Sequence, residues 1–480
     1  MKIRAITSLT SLYKNTITYG FSQGLFVLLQ TALVFYLIFS LQTEEFGAYG
    51  LARVAPLLLI PLLTMNLPGS IIRFYYEWEK NDEARSALFT IFFTQLLILI
   101  LVLPFLFMGI AEIIFTYLFQ NITFYPILYY TLIAEIIAIP HQYLLKLLRV
   151  QEKTITFLFI LNGKILFSII PIVYFVSLEP SAISAVSGYL VGQFIFVFIS
   201  IFYLLKNCEI KFNLSILKII FRYTTPTVPE TSLNSVISML DRIILDKFFD
   251  LKIIGIYIFS RSIAQFLIPI SGIFQTGFIP YYFKIIKDRD FQKVLSSTFN
   301  FYNLFLTLCC SFIILFAKEL IFIIDKEEYF NSNIIIILLS IYFILETFLI
   351  VHYFLIHTTN KTEFLLIGYI IKSLFFFVPI YLFDIYIREI SLEIFCSILI
   401  FSNVVYILYI DIIKRSIKNI DYNFYKKFIY TFGIILTSVF LSYLSLGLIA
   451  FTCKIFFVSI QLFFLYKYIK PYILNYFNQK

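Results

Sequence analysis

The feature that most constrains this chain is a series of long apolar segments that follow one another almost without interruption. Each is about 20 residues long or longer, the length an α-helix needs to cross a hydrocarbon core of roughly 30 Å. There are fourteen: 17–40, 49–71, 87–111, 124–145, 155–177, 183–205, 226–247, 253–278, 294–317, 333–356, 362–385, 390–413, 428–450 and 452–470. They lack the alternation of polar and apolar residues typical of barrel strands. The sequence therefore predicts an all-α polytopic membrane protein with about 14 transmembrane helices.

The composition excludes several other classes of protein. Hydrophobic residues make up 61% of the chain and charged residues 14%, whereas a soluble domain carries about 25% charged residues. No polar block is long enough to form a soluble domain on a single anchor. A soluble enzyme, a secreted disulfide scaffold and a disordered chain are all excluded.

The distribution of Lys and Arg predicts the orientation of the chain in the membrane. If the N-terminus is cytoplasmic, 26 of the 37 basic residues fall on the cytoplasmic side, 7 fall on the outer side and 4 lie within spans. Cytoplasmic segments of membrane proteins carry such an excess. We therefore expect both termini in the cytoplasm, and the net charge of +9 needs no nucleic acid to explain it.

An internal repeat relates the first six spans to the next six. A shift of 208 residues, without a gap, superposes them and matches residues of scarce types. The matched pairs are Gly47/Gly255, Tyr49/Tyr257, Arg53/Arg261, Pro61/Pro269, Gly69/Gly277, Lys153/Lys361, Thr154/Thr362, Lys164/Lys372 and Pro171/Pro379. Because six is an even number, both copies enter the membrane from the same side. Parallel repeats of this kind place the substrate path between the halves.

The repeat predicts the domain organisation. We expect an N-terminal six-helix lobe over residues 1–214 and a C-terminal six-helix lobe over 215–420, with a central cavity between them. Residues 421–480 then form two additional transmembrane helices and a basic tail. Rocking of one lobe against the other would give alternating access.

Four basic residues inside predicted spans are not assigned to either side of the membrane, namely Arg53, Lys164, Arg261 and Lys372. A charge at the centre of a bilayer costs about 2.5–3.5 kcal/mol on the insertion scale, so each must face protein or water. Two hypotheses follow. Either the four line a cavity that receives an anion, or each pairs with a carboxylate and holds helices together. Candidate partners are Glu135, Glu230, Asp241 and Glu346.

Prolines accompany these cations in both copies. Pro61 and Pro269 follow the arginines by eight residues, and Pro171 and Pro379 follow the lysines by seven. Proline in a transmembrane helix frees a carbonyl and favours a kink.

Two intramembrane carboxylates, Glu135 and Glu346, do not align under the repeat. Either could bind a coupling proton or cation, with pairing to a buried lysine as the alternative. The sequence contains no nucleotide phosphate loop, no nucleophile–base arrangement of helpful spacing and no metal-ligand spacing. We therefore expect a protein that is not an enzyme, with no metal and no cofactor.

Two stretches resemble a known family. The stretch 41–80 contains an acidic–aromatic–Gly–x–Tyr turn, then a Gly and a basic–aromatic group. The stretch 221–257 contains an early Pro, an Asp–Arg pair and Gly–x–Tyr. The residues are Glu45, Phe46, Gly47, Ala48, Tyr49, Gly69, Arg73, Phe74 and Tyr75 in the first stretch, and Pro226, Asp241, Arg242, Gly255 and Tyr257 in the second. Together with the span count and the repeat, they resemble the Wzx-like polysaccharide flippases of the MOP exporter superfamily.

The resemblance implies a flippase that moves a polyprenyl-pyrophosphate-linked oligosaccharide to the outer leaflet of the bacterial inner membrane, for O-antigen, lipopolysaccharide, capsule or exopolysaccharide synthesis. Its partners would be the lipid-linked oligosaccharide, membrane lipids and a glycan polymerase. The four intramembrane cations would bind substrate, and Asp241, Arg242, Gly47 and Gly255 would be structural. The alternatives are a multidrug or cation antiporter of the same superfamily, which would favour acidic cavity residues, and a glycan polymerase or ligase.

Overall fold

The computed structural model describes residues 2–80, 83–272, 274, 291–357, 363–387, 390–417, 424–443 and 448–478, and the statements below concern these residues. The helices up to residue 264 are α1 (Lys2–Ser40), α2 (Thr43–Ala52), α3 (Ala55–Thr64), α4 (Leu67–Lys80), α5 (Ala84–Phe107), α6 (Ile110–Leu118), α7 (Tyr129–Ile137), α8 (Ile139–Val150), α9 (Thr154–Leu178), α10 (Ala182–Lys206), α11 (Leu214–Thr224), α12 (Val228–Phe248) and α13 (Leu251–Ala264). The later helices are α14 (Phe291–Leu315), α15 (Ala317–Ile324), α16 (Ser332–His357), α17 (Glu363–Ile387), α18 (Leu392–Ile417), α19 (Phe424–Ser442) and α20 (Leu448–Asn478).

The predicted fold class is confirmed: the described chain is largely helical, and most described residues of each predicted span lie in helices. Eleven helical segments are long and apolar enough to cross a membrane. The predicted spans 226–247, 428–450 and 452–470 are not among these eleven but lie on α12, α19 and α20. The protein is therefore a multi-pass membrane protein.

The helices pack as two units, residues 1–258 and residues 259–480. The border lies within α13, so the first unit contains the first six predicted spans, the seventh and the start of the eighth. The division at residues 214 and 420 that the repeat suggests stays a prediction. Three residues of the matched pairs, Gly277, Lys361 and Thr362, lie outside the described residues.

The second predicted span is not one continuous helix. It breaks after α2 at Arg53 and Val54, and again at Met65 and Asn66, which both adopt positive φ. Pro56 occupies the first turn of α3, where the missing N–H costs nothing, so the first break precedes this proline. Pro61, which the sequence pattern suggested as the kink, lies inside α3.

Two glycines that match under the repeat meet at a close helix crossing in the first unit. A Cβ on Gly47 would lie 2.5 Å from the carbonyl oxygen of Leu251 and 2.9 Å from the nitrogen of Gly255. A Cβ on Gly255 would overlap the carbonyl oxygen of Thr43. Thr43 and Leu251 are themselves 208 residues apart, so α2 and α13 cross at equivalent positions. Only glycine at both positions permits this approach.

Small residues also bring α9 and α10 together. Gly188 lies against the backbone of Ile172, and Gly192 lies against Ser168. The Gln193 side chain then donates a 2.7 Å hydrogen bond to the Ser168 hydroxyl. Close backbone approach and buried side-chain hydrogen bonds are the usual means of helix association in membranes, where water supplies no hydrophobic force.

A row of polar contacts attaches the two additional C-terminal helices to α14 in the second unit. The hydroxyl groups of Thr307 and Thr431 are 3.2 Å apart, and those of Ser311 and Ser438 are 2.6 Å apart. Gln461 on α20 donates to Ser311 over 2.9 Å. At the matching positions of the first copy, 99 and 103, both residues are leucine. The polar row therefore explains why the additional helices pack on α14 in the second copy of the repeat: the equivalent helix of the first copy lacks these hydroxyl groups.

The glycine crossing generates a prediction. Gly255→Ala should lower the free energy of unfolding by about 1–3 kcal/mol, the usual cost of forcing extra volume into a packed site. Thermal unfolding of the purified protein in detergent, followed by size-exclusion chromatography, would measure the loss. Gly24→Ala is the matched control, because a Cβ there meets nothing within 4 Å. Equal stability of the two variants would contradict the packing argument.

Candidate functional site

The break after α2 positions the first intramembrane cation. Arg53 is the residue that ends α2, and its N–H donates to the carbonyl of Tyr49 over 3.1 Å. Because the helix stops here, the long side chain leaves the helix at a turn rather than along a packed face. It extends toward α7 and α10.

Arg53, Glu135 and Tyr189 form a compact group, which together with Lys164 we name the first cluster. The guanidinium donates to Glu135 Oε1 over 3.0 Å, and the Tyr189 hydroxyl donates to the same oxygen over 2.5 Å. The guanidinium carbon lies 3.9 Å from the centre of the Tyr189 ring. Arg53 keeps 31% of its side chain exposed, so the pair is partly accessible.

Lys164 on α9 completes the first cluster without a direct partner. It is half-buried and interacts electrostatically with Glu135 and Arg53, yet it makes no hydrogen bond or ion pair in the described part of the chain. The second oxygen of Glu135 likewise accepts no hydrogen bond from these residues. The first cluster therefore holds two cations and one carboxylate, and one ammonium group has no contact ion.

The second cluster lies in the second unit and consists of Arg261, Phe343, Glu346 and Lys372, with the rings of Tyr342 and Tyr406. Lys372 forms a hydrogen-bonded ion pair with Glu346, and only 10% of the lysine side chain is exposed. Two aromatic rings, Tyr342 and Tyr406, lie 5.3 Å and 5.8 Å from the ammonium nitrogen. The Arg261 guanidinium lies 5.1 Å from the centre of the Phe343 ring.

One contact in the first cluster has an equivalent in the second cluster at positions related by the repeat. Arg53 contacts Glu135, and a shift of 208 residues converts this pair into Arg261 and Phe343, which are also in contact. The repeat found in the sequence thus reproduces an arginine contact in three dimensions. In the second copy, however, a phenylalanine replaces the carboxylate.

The carboxylates pair with different cations in the two clusters. Glu346 pairs with a lysine, as one of the two hypotheses held, but Glu135 pairs with an arginine and reaches Lys164 only at longer range. The position of the first copy that matches Glu346 is Ala138. This difference explains why the two glutamates do not align in sequence although each neutralises one cation. The Glu230 side chain is outside the part that the structure describes.

The predicted structural residues Asp241 and Arg242 lie on α12. Asp241 on α12 is 5% exposed and accepts a 2.5 Å hydrogen bond from the Tyr257 hydroxyl. Arg242 lies 3.7 Å from the same carboxylate and donates to the carbonyl of Ser238. These contacts connect α12 to α13.

Sequence reasoning missed the aromatic residues of both clusters. Tyr189 and Tyr406 contact the cations directly, but the chain contains 35 tyrosines, and no spacing distinguishes these two. His141 lies near Lys164, and no sequence pattern identifies it. It is 4% exposed and interacts electrostatically with Lys164, and its Nδ1 has no hydrogen-bond partner among the described residues.

Residues 12–286, more than half of the chain, match a family described as "Polysaccharide biosynthesis protein". The chain belongs to this family. A segment of 159 residues is 31% identical to the capsular polysaccharide biosynthesis protein CapF of Staphylococcus aureus. That match covers 31% of this chain and 39% of the staphylococcal protein.

Two solved structures show the same fold. The lipid II flippase MurJ, in an inward closed conformation, superposes with a TM-score of 0.63 at 16% identity, covering 96% of this chain and 100% of that one. The MATE multidrug transporter DinF-BH gives a TM-score of 0.58 at 14% identity, with 85% and 95% covered. The family and the fold support a membrane transporter, and both structural neighbours are transporters.

The pairing in the second cluster generates a prediction. Glu346→Gln leaves the Lys372 ammonium without its counter-ion. We expect a loss of about 3 kcal/mol, the lower end for breaking a buried pair, because Glu346 keeps 23% of its side chain exposed. Thermal unfolding in detergent would measure it, and Lys372→Met added to Glu346→Gln should restore most of the loss.

Glu77→Gln is the control for this prediction. The ion pair of Glu77 with Arg73 also joins an acid to a base, but both side chains are more than half exposed. Its loss should cost at most about 0.5 kcal/mol. If Glu346→Gln costs no more than this control, Glu346 does not neutralise Lys372 in the folded protein.

Proposed function

We propose that this protein is a flippase that moves a polyprenyl-pyrophosphate-linked oligosaccharide from the cytoplasmic to the outer leaflet of the bacterial cell membrane for surface polysaccharide synthesis. Membership in the polysaccharide biosynthesis family supports the pathway. The similarity to a capsular polysaccharide protein and the fold shared with a lipid II flippase support the class of cargo.

The observation that carries the proposal is the charge balance of the first cluster. It holds two basic side chains, Arg53 and Lys164, and one carboxylate, Glu135, so its formal charge is +1. An uncompensated positive charge within the membrane is costly, and an anion that binds beside it lowers this cost. A pyrophosphate is such an anion, and Arg and Lys are its usual partners in proteins.

In the absence of cargo, the two glutamates act as substitutes for the pyrophosphate. Glu135 holds Arg53 and Glu346 holds Lys372. A phosphate group that binds these cations competes with the carboxylates, and a displaced carboxylate would take up a proton or another cation. This exchange makes Glu135 and Glu346 the candidate coupling residues.

Transport of the cargo requires its polar head to cross the membrane. The protein would work by alternating access, with both termini in the cytoplasm. The lipid tail would remain in the bilayer while the polar head crosses about 30 Å. A glycan polymerase on the outer side is the expected partner that uses the product.

A second candidate is export of cationic drugs, because a MATE multidrug transporter shares the fold. A site for a cation needs an excess of carboxylates, whereas the first cluster contains more basic than acidic groups. The charge balance therefore favours an anionic cargo.

Substitution of the two lysines tests the proposal. Lys164→Ala should reduce surface polysaccharide by about tenfold or more, since a hydrogen bond to a charged group contributes about 1.5–3 kcal/mol. Lys372→Ala should have a similar effect. The measurement is complementation of cells that lack their own copy, with surface polysaccharide and accumulated lipid-linked oligosaccharide both quantified.

Lys164→Ala is the sharper of the two variants, because it breaks no ion pair in the described structure. Lys206→Ala is the control, since Lys206 is exposed at the end of α10. Membrane insertion of every variant is checked by immunoblotting. Normal surface polysaccharide in both lysine variants would refute the anion site, and efflux of cationic dyes by the wild type would favour the alternative.

A further inference from the structure

A depression at one end of the first unit is not used by the charged clusters. It has a volume of about 440 Å³, within the range of about 300–1,000 Å³ for small-molecule sites. Its lining comes from the end of α4 and from the turn that joins α8 to α9. The lining residues are Tyr75, Tyr76, Glu79, Val150, Gln151, Glu152 and Lys153.

The backbone of this turn is held in place by the tyrosines of α4. The Tyr76 hydroxyl donates to the carbonyl of Val150 over 2.8 Å, and the Gln151 amide donates to the Tyr75 hydroxyl over 3.1 Å. Glu152 has a φ of 54°, which is uncommon for a residue with a side chain. Hydrogen bonds between α4 and the turn therefore hold the walls of the depression in place.

Polar groups without partners remain at this site. The Gln151 Oε1 atom and the Tyr19 hydroxyl are both inaccessible to solvent, and neither has a hydrogen-bond partner among the described residues. Tyr19 interacts electrostatically with Glu152 and Tyr76, which places it at the same turn. Buried polar atoms are nearly always hydrogen-bonded, so these two make the turn beside the depression polar, although a ligand in the depression does not touch them directly.

The chemistry of the lining matches a neutral, hydroxyl-rich ligand. Two carboxylates, Glu79 and Glu152, accept hydrogen bonds, and Gln151 can both donate and accept. Partial burial, followed by the charges of Glu152 and Glu79, raises the pKa of Tyr76, so its phenol stays neutral. The Tyr76 ring is 54% exposed and offers an apolar face. The lining holds two carboxylates and one lysine, and Arg149 lies near the same turn, so the site has no excess of cations for a phosphate.

From these observations we infer that the depression is a saccharide-binding subsite, which accepts a sugar ring of the glycan on the side where the excess of Lys and Arg predicts the cytoplasm. The inference rests on the proposed function for the identity of the sugar-bearing ligand. α9 connects the two sites: Lys153 lines the depression, and Lys164 is roughly 16 Å further along the helix at 1.5 Å per residue. A lipid-linked glycan could therefore contact Lys164 with its phosphate and the depression with a sugar.

The chain offers a reporter for sugar binding. It contains one tryptophan, Trp78, on the same helix as Tyr75, Tyr76 and Glu79. Titration of the purified full-length protein in detergent with neutral monosaccharides should change Trp78 fluorescence saturably, with a Kd on the order of 1 mM. The probes are galactose, glucose, N-acetylglucosamine and N-acetylgalactosamine. The response should persist in 0.5 M NaCl, because neutral sugars bind without ion pairing.

Substitutions test which residues form the subsite. Glu79→Gln and Glu152→Gln should each raise the Kd at least fivefold, and Tyr76→Ala should abolish the response. Tyr76→Phe keeps the ring and removes the hydroxyl, and it replaces Tyr76→Ala as the test if the alanine variant does not fold. The controls are Glu179→Gln and Tyr386→Ala, both exposed and neither part of the lining, which should leave the Kd unchanged.

Two outcomes would overturn the inference. One is the absence of a saturable response to every sugar by folded wild-type protein. The other is an unchanged Kd in both glutamine variants. Binding is measured without transport, so the outcome is independent of the export assay: sugar binding without export would refute the proposed function, and export without sugar binding would refute only this subsite.

Discussion

The cost of an ionised side chain in hydrocarbon is the constraint on which the rest of this structure depends. A charge at the bilayer centre costs a few kcal/mol unless protein or water surrounds it. Among the described residues, ion pairs reduce this cost, for example Arg53 with Glu135, Lys372 with Glu346, and Lys454 with Glu319. The last joins α20 to α15 and leaves the lysine wholly buried. The same type of interaction thus serves both helix attachment and the candidate site.

The internal repeat preserves the cations but not their partners. Arginine and lysine recur at the same positions in both copies, while the carboxylate belongs to the arginine in one copy and to the lysine in the other. The consequence is an unequal pair of clusters. Lys372 is held in a nearly buried ion pair, whereas Lys164 has no contact ion among the described residues. If the cargo is a pyrophosphate, Lys164 is the cation that can bind it at the lowest cost, since no pair has to break.

Helix α9 connects the depression and the first cluster, which lie at different positions along it. Near its start lies the aromatic and acidic depression, and roughly 16 Å further along lies Lys164. Small residues fix α9 against α10, which carries Tyr189 of the first cluster. Lys164 and Tyr189 of the first cluster therefore lie on two closely packed helices, and the depression adjoins the start of one of them. Such a spacing suits a ligand with a charged group at one end and neutral hydroxyl groups at the other.

The sequence by itself determined the fold class, the positions of the spans and the register of the repeat, because apolar length and scarce matched residues are one-dimensional properties. It also identified the four intramembrane cations, since any charge in an apolar segment is conspicuous. Only the tertiary structure decided that Glu135 contacts Arg53, that Tyr189 completes the group, and that the second span breaks at Arg53 and not at Pro61. These outcomes depend on which helix faces meet, and in a chain with 61% hydrophobic residues nearly every face is apolar, so the pattern carries little information about partners.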